Sequence, residues 1–178
     1  MLRIRCAVPP VMRSPEANKP VLAPATRAAR LLALSVPALL LGGAYLSQYG
    51  FGLYPCEMCM WQRWPHFAAI ALALLAFAAP PVRLWTALAA GGILTSGLIG
   101  GYHAGVEYGL WEGVTNCAFI GSTGAGESAL DSIMNTPMIR CDEAQWHLFG
   151  ISLAGYNFLF STLGALAVFA LLARGRHQ

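Results

Sequence analysis

The sequence predicts an all-α membrane protein: a four-transmembrane-helix bundle with two outward, periplasmic cysteine-bearing loops. Three observations predict it. Only 11% of the 178 residues are charged and 57% are hydrophobic, against about 25% charged in soluble domains, and the mean hydropathy is +0.56. Four runs are long and nearly free of charge. The connections between those runs alternate between basic residues and cysteines.

The runs are Leu31 to Tyr49, Trp64 to Ala79, Leu84 to Tyr102 and Leu148 to Ala173. A transmembrane helix needs about 20 apolar residues. The first, third and fourth fit, and the second fits if it starts near Gln62 or tilts little. The first run is too long for a cleavable signal and is followed by Tyr-Leu-Ser-Gln-Tyr rather than a small-residue cleavage site. Gly97-Leu-Ile-Gly-Gly101 in the third run has a small-xxx-small spacing that lets helices approach closely. The expected organisation is a disordered basic tail over 1–30, holding five prolines, a four-helix domain over 31–173, and a short tail over 174–178. Met12 is an alternative start to Met1.

Positive charge sets the expected orientation. Six basic residues precede the first run, Arg83 lies between the second and third, and Arg174 and Arg176 follow the fourth. The positive-inside rule puts both termini and the Pro80-Pro81 turn in the cytoplasm. Cys6 is then alone in the cytoplasmic tail, while Cys56, Cys59, Cys117 and Cys141 face outward, where disulfides form in bacteria.

The four outer cysteines allow three pairings, of which Cys56–Cys59 with Cys117–Cys141 is the most local. For Cys-Glu-Met-Cys, haem attachment fails because Met60 stands where a histidine is required. Structural zinc needs a second CxxC knuckle, and 23 residues separate Cys117 from Cys141. No metal is expected. A CxxC disulfide closes too small a loop to be a strong staple, so the pair reads as a redox device. Arg63, four residues after Cys59, lies one turn along the same helix face and favours a Cys59 thiolate, as does the helix N-terminus. The alternative is an arginine reaching for lipid headgroups. Trp61, Trp64 and His66 read as interfacial side chains.

The second outer loop, Ala104 to His147, is long enough to suggest function. It holds Gly121-Ser-Thr-Gly-Ala-Gly126, then a helix-start signal at Ser128-Ala-Leu-Asp131 and an apolar stripe through Leu130, Ile133, Met134 and Met138. That stripe suits a short helix lying on the membrane or capping the bundle.

Pro55-Cys56-Glu-Met-Cys59-Met-Trp-Gln-Arg63, Gly101-Tyr-His103 and Cys141-Asp-Glu-Ala-Gln-Trp146-His-Leu-Phe-Gly150 together resemble the DsbB family of disulfide bond formation proteins over about residues 31 to 173. Glu57 departs from the apolar residues usual inside the family's CxxC and raises the cost of a neighbouring thiolate. The resemblance implies an enzyme, a protein-disulfide:quinone oxidoreductase of the bacterial inner membrane. It would reoxidise a periplasmic DsbA-like thiol oxidase and pass the electrons to a membrane quinone, ubiquinone or menaquinone. It implies that Cys117 forms the mixed disulfide with the partner, that Cys141 is its loop mate, and that Cys56 and Cys59 reoxidise that pair. Cys59 would face the quinone, with Arg63 beside it and His103 in the quinone pocket. The expected partners are thus that oxidase, quinone and the lipid bilayer, with no nucleic acid. A vitamin K epoxide reductase-like relay generally has its CxxC near the chain end, the opposite order. The rival from another class is a non-catalytic scaffold or transporter with two structural disulfides.

Overall fold

Residues 22–114 and 139–175 are described by a computed structural model. Four long helices dominate it: α1 (Pro24–Phe51), α2 (Glu57–Ala78), α3 (Val82–Glu107) and α4 (Leu153–Arg174). They form a ring in which α3 packs between α2 and α4, and α1 closes against α2 and α4. Three of them, α1, α3 and α4, are long and apolar enough to cross a membrane. The second helix is as long as α4, but its first half carries Glu57, Gln62, Arg63 and His66. Large apolar side chains such as Leu39, Leu98 and Leu163 point outward, while one end of the core is built from small ones, Ala29, Ala33, Ala73, Ala89 and Ala90. That inside-out distribution suits a lipid surround, because burying Leu against lipid is as favourable as burying it inside.

Four boundaries differ from expectation. The third helix runs on to Glu107, past Tyr102 and into the expected outer loop, because Gly105 and the small residue Ala104 pack inside the bundle and the helix continues to its Tyr108 cap. The first helix begins at Pro24 rather than after Arg30, so the end of the expected disordered tail is helical. Proline is suited to the first turn, and Arg30 does not break the helix because its guanidinium lies 4.0 Å above the Phe77 ring. The second helix begins at Glu57, seven residues before the apolar run, because Cys56 caps it. The fourth begins at Leu153 rather than Leu148. There Phe149 and Gly150 both take positive φ, 51° and 77°, and form a tight turn joining β1 (His147–Leu148) to antiparallel β2 (Ile151–Ser152). Two such residues in succession build the turn that joins hairpin strands, and glycine adopts it without strain. Ser152 then caps α4 by accepting from the Gly155 N–H at 3.1 Å.

The glycine spacing in α3 does bring helices together. A Cβ on Gly97 would sit 3.0 Å from Ser161 Cβ, and one on Gly100 would sit 3.0 Å from the Ala154 carbonyl of α4. At the other end of the bundle, Arg83 donates to the Leu172 carbonyl, so the Pro80-Pro81 turn and the end of α4 lie together. The expected loop helix through Leu130 to Met138, and Cys6 and Cys117, lie outside the described residues.

Candidate active site

Cys56 sits in extended backbone just before α2, and its sulfur accepts from the Cys59 N–H at 3.2 Å. The cap aims both sulfurs inward, and the Cys56 thiol donates to the Cys59 sulfur at 2.9 Å. Both cysteines are free. Donation to Cys59 and burial push the Cys56 thiol well above the ordinary cysteine range. Glu57 turns to the exposed side, so its carboxylate is not buried against the thiols.

Cys141 is disulfide-bonded and buried; Cys117, its expected loop mate, lies outside the described residues. The reactive atoms of Cys56, His103 and Cys141 all lie within 4.8 Å of one another. These are metal-ligating residue types, but an oxidised Cys141 offers no thiolate, and structural zinc takes four ligands. The chain holding Cys141 is tied to the CxxC by Gln145 Nε2, which donates to the Tyr54 carbonyl at 2.7 Å. Nearby, Arg140 grips Asp142 through two hydrogen bonds and holds its carboxyl below the usual range. Both are exposed, so the pair adds little stability.

His103 is almost fully buried on α3. Gln62 Nε2 donates to its Nδ1 at 2.8 Å, which leaves the hydrogen on Nε2. That nitrogen faces the Cys141 carbonyl at 3.2 Å, the Cys56 sulfur at 3.6 Å and Glu107 at 3.7 Å. His103 therefore stands between the two cysteine regions and beside both.

Arg63 is buried, 7% exposed. Its guanidinium donates to Gln48 Oε1 at 2.6 Å and to the Ala44 carbonyl at 3.3 Å, and lies 4.8 Å from the centre of the Tyr45 ring. Its hydrogen bonds thus run to α1 rather than to a sulfur. Their effect is to hold the cation inside the bundle on the face that also carries Cys59. Cys59, Gln62, Arg63 and His66, at helical spacing, line one cavity of about 280 Å³ between α1, α2 and α4. Tyr54 and Trp146 also line it, as do apolar side chains such as Leu40 and Phe160. A mostly apolar cavity with a few convergent polar groups has the usual make-up of a small-molecule site.

Sequence reasoning missed several residues. His66 is not interfacial: it is 3% exposed and bonded to Asn157. Trp61 and Trp64, by contrast, do point outward. Gln62 connects His103 to Asn157, whose Nδ2 donates to Gln62 Oε1 at 2.8 Å. A signal was present for Gln62 and His66, which repeat at three and seven residues from Cys59. Glu107 also had one, since it follows His103 by four residues on α3; none was available for Asn157 or Gln145, which come from distant segments.

Comparison with known proteins gives a consistent result. The family described as disulfide bond formation protein DsbB matches residues 26–171. A disulfide bond formation protein B of Verminephrobacter eiseniae is 34% identical over 163 residues, 84% of this chain and 86% of that protein. One from Aromatoleum aromaticum is 34% identical over 160 residues, 85% and 95% of the two chains. An uncharacterized protein of Rickettsia prowazekii is 26% identical over 135 residues, 74% and 78% of the two chains. No solved structure matches the chain.

Proposed function

The chain belongs to the DsbB family of membrane proteins of disulfide bond formation, and from that premise we propose that it is a thiol:quinone oxidoreductase of the bacterial inner membrane. In this reading it reoxidises a periplasmic DsbA-like partner. The observation that carries the reading is the approach of Cys56 and Cys141 to within 4.8 Å at their reactive atoms. Two redox pairs that exchange disulfides need one sulfur of each within reach of the other.

The relay then runs as follows. A partner thiolate attacks the disulfide at Cys117, forming a mixed disulfide and releasing Cys141. The second partner thiol resolves it, so the partner leaves oxidised and Cys117 and Cys141 remain as thiols. Cys141 attacks the Cys56–Cys59 disulfide at its neighbour Cys56, releasing Cys59. Cys117 then displaces Cys56, restoring Cys117–Cys141 and leaving Cys56 and Cys59 reduced. When bound in the cavity, a quinone would be the final acceptor of the two electrons and two protons that the Cys56 and Cys59 thiols give up as their disulfide re-forms. Cys56 and Cys59 both line the cavity; in this reading Cys59, one turn before Arg63 on α2, is the sulfur that faces the quinone. Arg63 holds a fixed cation there, and the Nε2–H of His103 steadies charge on Cys56 during exchange.

Orientation and the fourth span belong to this reading. Arg27, Arg30, Arg83 and Arg174 gather at one end of the bundle and the cysteines at the other, which supports cytoplasmic termini and outward cysteines. As a span, α2 is about 33 Å long, a match to a hydrocarbon core of about 30 Å. Its Gln62, Arg63 and His66 are buried in the bundle rather than set against lipid.

The test is thiol trapping in membranes, with and without quinone and with a reduced DsbA-type partner. All four outer cysteines should cycle, and Cys141→Ser should accumulate the partner joined to Cys117. A redox state indifferent to quinone sinks the proposal.

A further inference from the structure

The proposed relay employs Cys59 and Arg63 on the cavity-facing stripe of α2 and leaves His66 without a task. His66 lines the same cavity, one turn deeper than Arg63. Its two ring nitrogens are in different situations. Nε2 lies 3.0 Å from Asn157 Oδ1. The orientation of that amide is set by its other half, since Asn157 Nδ2 donates to Gln62 Oε1 at 2.8 Å and to the Ser96 carbonyl and hydroxyl oxygens at 3.1 Å. The oxygen therefore faces the histidine, where Ser161 Oγ also donates to it at 2.8 Å. An amide oxygen only accepts, so Nε2 carries the hydrogen. In a neutral ring Nδ1 is then a bare acceptor. It is buried, and among the described residues it has no hydrogen-bond partner. Among the described residues no carboxylate is bonded to the ring.

The residues that line the cavity thus include a pure donor, Arg63, and a pure acceptor, the His66 Nδ1, which is closed off from water and left unpaired among the described residues. A quinone headgroup presents only acceptor oxygens, whereas its two-electron-reduced form presents hydroxyl groups that donate. Arg63 suits either form, but His66 Nδ1 suits only the reduced one. Resting on the quinone reading above, we infer that His66 is a specificity residue that accepts a hydrogen bond from a hydroquinone hydroxyl. The cavity then holds the hydroquinone more tightly than the quinone. Selective retention of the product pulls two electrons and two protons from the Cys56–Cys59 dithiol toward the ring, at the expense of slower product release.

Binding separates this inference from the reaction itself. Decyl-ubiquinone and decyl-ubiquinol are titrated into the purified full-length protein, with binding read from quenching of tryptophan fluorescence. His66→Phe should weaken ubiquinol binding about tenfold, the loss of one hydrogen bond, and alter ubiquinone binding by less than about threefold. Ser161 Oγ also lies 3.4 Å from His66 Nε2; Ser161→Ala removes that longer contact and the second donor to Asn157 Oδ1 but leaves the 3.0 Å Nε2–Asn157 bond that fixes the tautomer, and it should change neither. On the unaltered protein, the dimethyl ether of the ubiquinol, which has no O–H, should also bind about tenfold more weakly than the ubiquinol. That arm does not depend on the variant folding. Equal weakening of both redox forms by His66→Phe, no weakening, or a wild-type protein that binds neither form overturns the inference. If the dithiol protein reduces no quinone but ubiquinol affinity still depends on His66, the binding site stands and the enzymatic reading falls.

Discussion

At Cys56 one sulfur accepts the Cys59 N–H, donates its proton to the Cys59 sulfur and lies 3.6 Å from His103 Nε2. The thiol proton is held on Cys56, and Cys59 is the better-placed thiolate. In reduced protein, iodoacetamide should therefore modify Cys59 well before Cys56, as read by peptide mass spectrometry. Because the Cys56 pKa is raised, its modification should keep accelerating at pH values where an ordinary cysteine, titrating near about 8.5, has levelled off. Equal rates at both sulfurs would contradict the proton assignment. Arg63 makes a second residue-scale prediction. Its donors are anchored on Gln48 and Ala44, so Arg63→Ala removes a cation that the fold already holds in position. Quinone-dependent reoxidation should show a KM raised about tenfold, a loss of about 1.4 kcal/mol, while the folded protein still accumulates in the membrane. An unchanged KM and rate would count against its role.

Helix packing decides whether those residues meet. Gly100 lets α3 approach α4 where a Cβ would press on the Ala154 carbonyl, Asn157 Nδ2 and Gln62 Oε1 together. Gly100→Val should push α4 outward and break the Gln62–Asn157 link. The expected destabilisation is about 1–3 kcal/mol, seen as a lower unfolding temperature in detergent. Gly42 of α1 meets nothing within 4 Å, so Gly42→Ala serves as the contrast and should leave that temperature nearly unchanged. At that same end of α4, the Phe149–Gly150 turn and the Ser152 cap set where the helix starts. Tyr108 fastens that turn to the end of α3, donating to the Gly150 carbonyl at 2.9 Å and accepting from the Ser152 N–H at 3.0 Å. The strands and cap account for the five residues by which the apolar run overshoots the helix.

Across the whole molecule, chemistry and charge are segregated. Cys56, Cys59, Cys141, His103 and the cavity occupy one end, together with Arg63 and Arg140, and Arg27, Arg30, Arg83 and Arg174 occupy the other. Orientation has a direct check. A cysteine introduced at Glu112 in a variant lacking the native thiols should react with a membrane-impermeant maleimide in intact spheroplasts, and one introduced at Arg174 only after lysis. The reverse pattern would invert the topology and place the thiols in the reducing compartment.

Hydropathy, charge asymmetry and the CxxC motif determined the helical membrane class and singled out Cys56, Cys59 and Arg63 as candidates, because these features are local: periodicity, run length and residue type survive in one dimension. The boundaries were less legible. Pro24, the Cys56 cap and the Phe149–Gly150 turn are backbone features that a hydropathy run does not register. Only the tertiary structure brought Cys141 to Cys56, turned His66 from a surface side chain into a cavity residue, and joined His103 to Asn157 through Gln62. Those encounters link segments up to 95 positions apart. In a nearly apolar interior, each buried polar group needs a partner to offset its desolvation, and packing alone decides which partner is within reach.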